Sequence, residues 1–97
     1  MAVDKVILMV TNMNFTLSEH AKAEMVRRQI SLAWIESMMR APEQILPSIN
    51  GRVVYQSRIV NEGKTFLLRL VIEEWRHPPV IVTAYRTSKI EKYWREL

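Results

Sequence analysis

The sequence predicts an α+β domain with two N-terminal helices, a three- or four-stranded antiparallel meander sheet and a short C-terminal helix. Three observations lead to this class. Apolar residues recur at helical spacing up to residue 41, the pattern then changes to the alternation of strands, and turn residues separate the alternating stretches. The chain has 97 residues, 48% of them hydrophobic, which suits one domain with its own core.

The sequence does not decide whether the first fourteen residues form an N-terminal arm or an edge strand. We expect one domain over residues 15–97. An apolar run at residues 6–10 has no small-residue cleavage site after it, so we do not expect a signal peptide. No stretch reaches the ~20 apolar residues of a membrane span, so we expect no membrane partner. The chain lacks cysteine, which excludes disulfides and thiolate zinc sites and favours a cytoplasmic protein.

Capping signals predict where the two leading helices begin. Thr16 and Glu19 have the spacing of a capping box, which predicts a first helix over about residues 17–28. Ser31 is placed to cap a second helix, which Ala41-Pro42 should end. The expected core-facing stripes are Leu17, Ala21 and Met25 on the first helix, and Leu32, Ile35 and Met38 or Met39 on the second.

Alternation and turn signals predict the strands. We expect a short strand at residues 44–46, a hairpin turn at Asn50-Gly51, and strands over residues 52–60, 65–73 and 80–85. Ser88 and Glu91 have another capping-box spacing, which predicts a final helix. The expected apolar stripe of that helix is Ile90, Tyr93 or Trp94, and Leu97.

A turn at residues 61–64 also predicts how two strands pair, because setting Val60 opposite Thr65 fixes every other pair. One face of this pair is nearly all apolar and should pack on the helices. The other face is the expected working face, and the alternative is an ordinary solvated face with Arg52 paired to Glu73. Its side chains are Arg52, Val54, Gln56, Arg58, Leu67, Arg69, Val71 and Glu73.

Basic residues concentrate in the second half of the chain. Residues 1–48 contain five basic and five acidic side chains, whereas residues 49–97 contain nine basic and five acidic ones, which accounts for the whole net charge of +4. Most of the excess is arginine, which suits phosphate and carboxylate ligands. The charge pattern favours a polyanion partner, and the alternative is that these residues only solvate a small surface. If the partner is RNA, the candidate RNA-binding residues are Arg52, Arg58, Arg86 and Lys89.

The composition leaves few catalytic chemistries. Asp4 is the only aspartate, the two histidines are isolated and the two glycines lie in separate turns. A metal site, a Ser-His-Asp arrangement and a phosphate-binding loop are therefore not expected, nor is a cofactor. RNA cleavage is not excluded, because RNA supplies its own nucleophile, the 2′-hydroxyl. The reaction then needs only a base for the hydroxyl proton, a cation beside the phosphate and an acid for the leaving oxygen.

Four residues are candidates for this chemistry. His20 lies near the positive end of the first helix dipole, where an uncharged imidazole would accept a proton, and the alternative is a structural histidine. If Val80, Val82 and Ala84 point to the helices, Tyr85 emerges on the face of Arg69 as an acid or base, and the alternative is a core tyrosine. Arg28 and Arg69 would stabilise the scissile phosphate.

The opening helix carries a resemblance to a known family. His20-Ala21, followed by Met25, Arg28 and Ile30, resembles the opening motif of a widespread bacterial family of small domains of unknown function, and residues 82–89 resemble its end. That family is similar to the BrnT and RelE group of toxin ribonucleases. The resemblance implies a RelE/BrnT-like fold, RNA cleavage without metal and neutralisation by an antitoxin from a neighbouring gene.

The resemblance also assigns residues. It places His20, Arg28 and Tyr85 on family motifs, whereas Glu24 stands where many relatives have arginine.

We therefore expect a toxin-like endoribonuclease that works by 2′-hydroxyl attack, with His20 or Tyr85 as acid or base. The alternative is a non-catalytic nucleic-acid-binding or protein-interaction module. The antitoxin should cover the apolar residues of the working face and pair acidic side chains with its arginines. The alternatives are that the strand at residues 44–46 or the arm at residues 6–10 already covers this face, or that two copies of the chain pair through it.

Overall fold

The computed structural model describes residues 14–96, which form five strands and three α-helices. In chain order they are β1 (Thr16–Leu17), α1 (Glu19–Arg27), α2 (Leu32–Arg40), β2 (Gln44–Pro47), β3 (Val53–Asn61), β4 (Lys64–Glu73), β5 (Val80–Thr87) and α3 (Ile90–Tyr93). A single 3₁₀ turn, Ile49–Gly51, joins β2 to β3. None of the helices within this range is long and apolar enough to cross a bilayer.

The strands form one sheet in the order β1-β5-β4-β3-β2. The α+β class is confirmed, but the expectation of three or four antiparallel strands is wrong. The additional strand is β1, which precedes the helices and pairs in parallel with the start of β5. Two residues are too few to show alternation, and their partner strand lies far along the chain. The predicted arm over residues 1–14 lies almost entirely outside the described residues.

Ser18, and not Thr16, caps the first helix. Its Oγ accepts a hydrogen bond from the backbone nitrogen of Ala21 and donates one to the carbonyl oxygen of Val82. The helix therefore begins at Glu19, two residues later than predicted, while the backbone nitrogen of Thr16 donates to the carbonyl oxygen of Pro79. The side chain of Ser18 thus stabilises the helix and ties it to β5.

The other two capping predictions have opposite outcomes. Ser31 caps the second helix as predicted, with its Oγ accepting from the backbone nitrogen of Trp34. Ser88 does not cap the final helix, which follows Lys89 without any side-chain cap. That helix is a single turn of four residues, too short for its own hydrogen bonds to specify its start.

The predicted register of β3 and β4 is confirmed at every pair from Val53–Ile72 to Val60–Thr65. The turn explains why local sequence was sufficient. Glu62 and Gly63 both have positive φ angles, 53° and 77°, as in the two-residue turns whose twist matches that of antiparallel strands. Asn50 and Gly51 have similar angles, 56° and 75°, between β2 and β3.

The helices cover one face of the sheet, as predicted. The buried core consists of Phe15, Ala21, Ile30, Ile35, Met38, Leu68, Leu70, Ile72, Ile81 and Ala84. The expectation that Val80 and Val82 face the helices is wrong, because the β4–β5 register shifts next to Val71. This bulge places Ile81 in the core beside Ala84 and leaves the position of Tyr85 on the opposite face unchanged.

Candidate active site

A row of polar side chains crosses the sheet on the face away from the helices. Gln44, Gln56, Arg69 and Tyr85 lie at paired positions on the four strands β2 to β5. Nε2 of Gln56 donates to Oε1 of Gln44 at 2.7 Å, and Nε of Arg69 donates to Oε1 of Gln56 at 3.0 Å. Nη1 of Arg69 donates to the hydroxyl oxygen of Tyr85. The Arg69 guanidinium is therefore held through two of its three nitrogens.

A second guanidinium reaches the same tyrosine from the end of α1. Arg28 is the C-cap residue, Gln29 follows with a φ of 55°, and the backbone nitrogen of Ile30 bonds to the carbonyl oxygen of Met25. This is the Schellman arrangement, and it seats Ile30 in the core. The guanidinium carbon of Arg28 then lies 5.9 Å from the Tyr85 ring centroid, and that of Arg69 lies 5.6 Å from it.

Glu24 holds Arg28 in this position. Its carboxylate accepts a hydrogen bond from Nε of Arg28 at 2.6 Å and from Nη2 of Arg27 at 2.8 Å. These bonds lower the pKa of Glu24 from 4.5 to about 2, the bond from Arg28 being the larger cause. Glu24 thus places a negative charge beside Arg28 and holds the direction of its side chain.

The C-terminal segment, residues 89–96, lies against this face of the sheet. The Tyr93 ring centroid is 4.1 Å from the Arg69 guanidinium carbon, and the ring meets Tyr85 edge to face. Nε2 of Gln56 donates to the carbonyl oxygen of Tyr93, and the side-chain amide of Gln44 bonds both the backbone nitrogen and the carbonyl oxygen of Arg95.

Burial of this face corrects the expectation of an open working surface. Gln56 and Leu67 have no exposed area, and Val54 is 5% exposed. A partner would reach Val54 and Leu67 only by displacing other parts of this chain, whereas Val71 on the same face is half-buried. The antitoxin contact expected from the sequence stays a prediction. The polar row remains accessible at its β5 end, where Tyr85 is half-buried and Arg28, at the end of α1, is 38% exposed.

Two of the candidate RNA-binding arginines are engaged by carboxylates. Arg52 bonds Glu73 across the strands, which confirms the predicted pair, and Arg76 bonds the same carboxylate. The bonds from Arg76 and then Arg52 lower the pKa of Glu73. Arg58 bonds Glu43 and lowers the pKa of that carboxyl in the same way.

Three other candidates lie apart from the polar row. His20 is exposed in the first turn of α1, eight residues before Arg28 and so about 12 Å from it along the helix axis. Arg86 lies on the helix-facing side of β5, with its guanidinium carbon 4.7 Å from the Phe66 ring centroid. Lys89 is exposed before α3. The roles proposed for these residues stay predictions.

The arrangement can bind an anion and donate a proton. Because Arg69 donates to the oxygen of Tyr85, the hydroxyl hydrogen points elsewhere and is available to an acceptor. Among residues 14–96, Nη2 of Arg69 makes no hydrogen bond, so both guanidiniums have donors left for phosphate oxygens. No three histidine or carboxylate side chains within this range are grouped as metal ligands would be.

Comparison with known proteins identifies the family. Residues 17–86 match the family model described as a domain of unknown function, DUF4258. The chain belongs to the DUF4258 family. Comparisons with curated proteins and with solved structures found no match.

The DUF4258 match covers α1 and strands β2 to β4 completely and β5 as far as Arg86. It includes Arg28, Arg69 and Tyr85, and it ends before α3, so Tyr93 is contributed from outside the matched range. The expected membership of a family of unknown function is confirmed. Sequence patterns had placed Gln56 opposite Arg69 but gave no reason to single it out, and Tyr93 was expected only on an apolar stripe.

Proposed function

We propose that this DUF4258 chain is a metal-independent endoribonuclease of the toxin type, with Arg28, Arg69 and Tyr85 as its active site. The observation that carries the proposal is the meeting of two guanidiniums, from α1 and β4, within 6 Å of the ring of one half-buried tyrosine on β5. Clustered positive charge next to a proton donor is what cleavage of a phosphodiester by its own 2′-hydroxyl requires.

In the proposed reaction the two arginines bind the nonbridging oxygens of the scissile phosphate. The 2′-hydroxyl oxygen attacks phosphorus, its proton passes to solvent water, and the bond from phosphorus to the 5′-oxygen breaks. Tyr85 gives its proton to the departing 5′-oxygen. The products are a 2′,3′-cyclic phosphate and a free 5′-hydroxyl. His20 is retained as the alternative proton acceptor, about 12 Å along the helix from Arg28.

We extend the proposal to the origin and control of the activity. The helix motif from His20 to Ile30 and an arginine in the middle of the sheet support a relation to the BrnT and RelE toxin group. The net charge of +4 supports an acidic antitoxin encoded by a neighbouring gene. Such a protein would contact the exposed guanidiniums of Arg28 and its neighbours and so exclude RNA. Light scattering of the chain, alone and with that gene's product, tests this and reports any homo-oligomer.

The central test is incubation of purified protein with RNA in excess chelator, with the product ends analysed by chromatography. Replacing Tyr85 by Phe should slow cleavage by about 10²-fold or more, the usual contribution of a general acid. Arg28→Gln and Arg69→Gln should each slow it by about 10²-fold, as expected when a donor to the transition-state charge is lost. His20→Ala shows whether the alternative base contributes.

Two controls are matched to these variants. Tyr55 lies on the opposite face of β3 and donates to Oε2 of Glu74, and burial together with this bond raises its pKa to about 12. Arg27 bonds Glu24 as Arg28 does but is not among the cations near the Tyr85 ring. Tyr55→Phe and Arg27→Gln should therefore keep the parent rate. Equal losses in variants and controls would contradict the assignment.

A second candidate function is nucleic-acid binding without cleavage. Arg69 is packed between Gln56 and Tyr93, and an arginine held this firmly serves a structural role. Such a role for Arg69 would leave the site with charge for binding RNA but without the second cation that cleavage needs. RNA that stays intact at stoichiometric protein, while a complex forms, would establish this function and exclude the nuclease.

A further inference from the structure

Gln56 is a fully buried polar side chain at the centre of the sheet face that carries the proposed site. It has no exposed area, although its near neighbours on the same face, Val54 and Leu67, are buried aliphatic residues. Aliphatic side chains thus pack well in this layer, and a buried amide gives little net stability over them even when it is fully hydrogen-bonded. The presence of an amide here calls for a role that an aliphatic residue cannot fill.

The hydrogen bonds of Gln56 also determine which way its amide points. Nε of Arg69 can only donate, so the atom it contacts at 3.0 Å must be Oε1 of Gln56. The carbonyl oxygen of Tyr93 can only accept, so the atom it contacts at 3.1 Å must be Nε2. The same nitrogen donates to Oε1 of Gln44 at 2.7 Å. If the amide were flipped, its nitrogen would face the Arg69 donor and its oxygen would face the Tyr93 carbonyl oxygen, and neither pair can form a hydrogen bond.

We infer that Gln56 is a positioning residue for Arg69, an inference that rests on the proposed function. The guanidinium is planar, so two bonds in its plane, from Nε to Gln56 and from Nη1 to Tyr85, fix its rotation. This directs Nη2 toward the position of the phosphate and keeps the Tyr85 hydroxyl proton available to the leaving group. Without the Gln56 oxygen, Arg69 turns about its Cδ–Nε bond and the donor to Tyr85 is lost.

The test compares two glutamines of the same row. Gln56→Met keeps the volume and removes the acceptor for Arg69, whereas Gln44→Met disrupts the same row and the hold on Arg95 without touching Arg69. We expect Gln56→Met to lower kcat for RNA cleavage about 10–100-fold, as a small misplacement of a catalytic group does. Gln44→Met should keep kcat within about twofold.

A double variant separates positioning from a general structural effect. If Gln56 acts through Arg69, then Gln56→Met combined with Arg69→Gln should be no slower than Arg69→Gln alone. Independent losses that multiply would overturn the inference. Should Gln56→Met fail to fold, Gln56→Asn, which withdraws the amide by one methylene, takes its place with the same expectation.

The outcomes also distinguish this inference from the proposed function. A parent protein that cleaves RNA while Gln56→Met retains its kcat leaves the nuclease standing and overturns the role of Gln56. If the parent protein does not cleave RNA at all, both the proposed nuclease function and the role of Gln56 are contradicted. Loss of kcat in Gln56→Met and Gln44→Met to the same extent assigns both glutamines to holding the C-terminal segment and also overturns the inference.

Discussion

The guanidinium carbon of Arg58 lies 4.3 Å from the centroid of the Trp94 ring, while Nη2 of Arg58 is 2.7 Å from Oε2 of Glu43. Arg58 thus connects β3 both to the segment before β2 and to the C-terminal segment. Arg58 therefore has a carboxylate on one side and an indole on its face, while half of its side chain stays exposed. These contacts assign Arg58 a structural role, and the RNA contact expected from the sequence stays a prediction.

Removing either partner of this stack should destabilise the fold. Arg58→Gln and Trp94→Ala are each expected to lower the free energy of unfolding measurably, since a cation–π pair and its packing are lost. Urea denaturation of both single variants and the double variant measures the coupling between them, with the exposed Lys22→Gln as control. Strictly additive losses would contradict a direct interaction.

Phosphate binding should depend on Arg28 and Arg69 and not on Arg58. Each lost single-strand phosphate contact reduces the slope of log affinity against log salt by roughly 0.7. Arg28→Gln and Arg69→Gln should show this reduction in fluorescence titrations with a labelled single-stranded RNA. Arg58→Gln should keep the parent slope, provided that it is measured well below its unfolding midpoint. A parent-like slope in all three variants would remove these residues from the interface.

The carboxylates bound to arginines should make the fold sensitive to acid. The pKa of Glu24 is about 2 in the folded state and 4.5 ordinarily, so its contribution to stability is fully present above pH 4.5 and is lost as the pH falls towards 2. The pKa values of Glu43 and Glu73 are shifted in the same direction. Denaturation curves through this range should show falling stability, with a shallower decline in Glu24→Gln. An identical decline in parent and variant would contradict the shift.

The cap of α1 provides a comparison between two neighbouring hydroxyl residues. Ser18→Ala removes the bond from the Ala21 nitrogen and the bond to Val82, so it should lower the free energy of unfolding by about 1–2 kcal/mol. Thr16→Ala, at the position that the sequence pattern favours as the cap, should change it by less than about 0.5 kcal/mol. Thermal melts of the two variants decide between the positions, and a larger loss in Thr16→Ala would refute the observed cap.

Local sequence was informative wherever neighbouring residues interact with one another. The turn at Glu62-Gly63 and the alternation on both sides of it predicted the complete β3–β4 register and the Arg52–Glu73 pair. Ser31 predicted its helix in the same way. In these cases the deciding contacts lie within a few residues of the turn or cap, or follow from it by the two-residue period of a strand.

Contacts between distant segments were decided only by the tertiary structure. The pairing of β1 with β5, the bulge beside Val71 and the seating of Tyr93 on Arg69 join segments that no local period connects. Arg28 meets Tyr85 because the end of α1 and strand β5 pack together, and the face expected to be open is covered by the chain's own C-terminal segment. The amino-acid pattern determined which residues share a strand face or a helix stripe, since backbone geometry repeats along the chain. Which faces meet depends on the burial of apolar area over the whole domain, and that balance is absent from any short stretch of sequence.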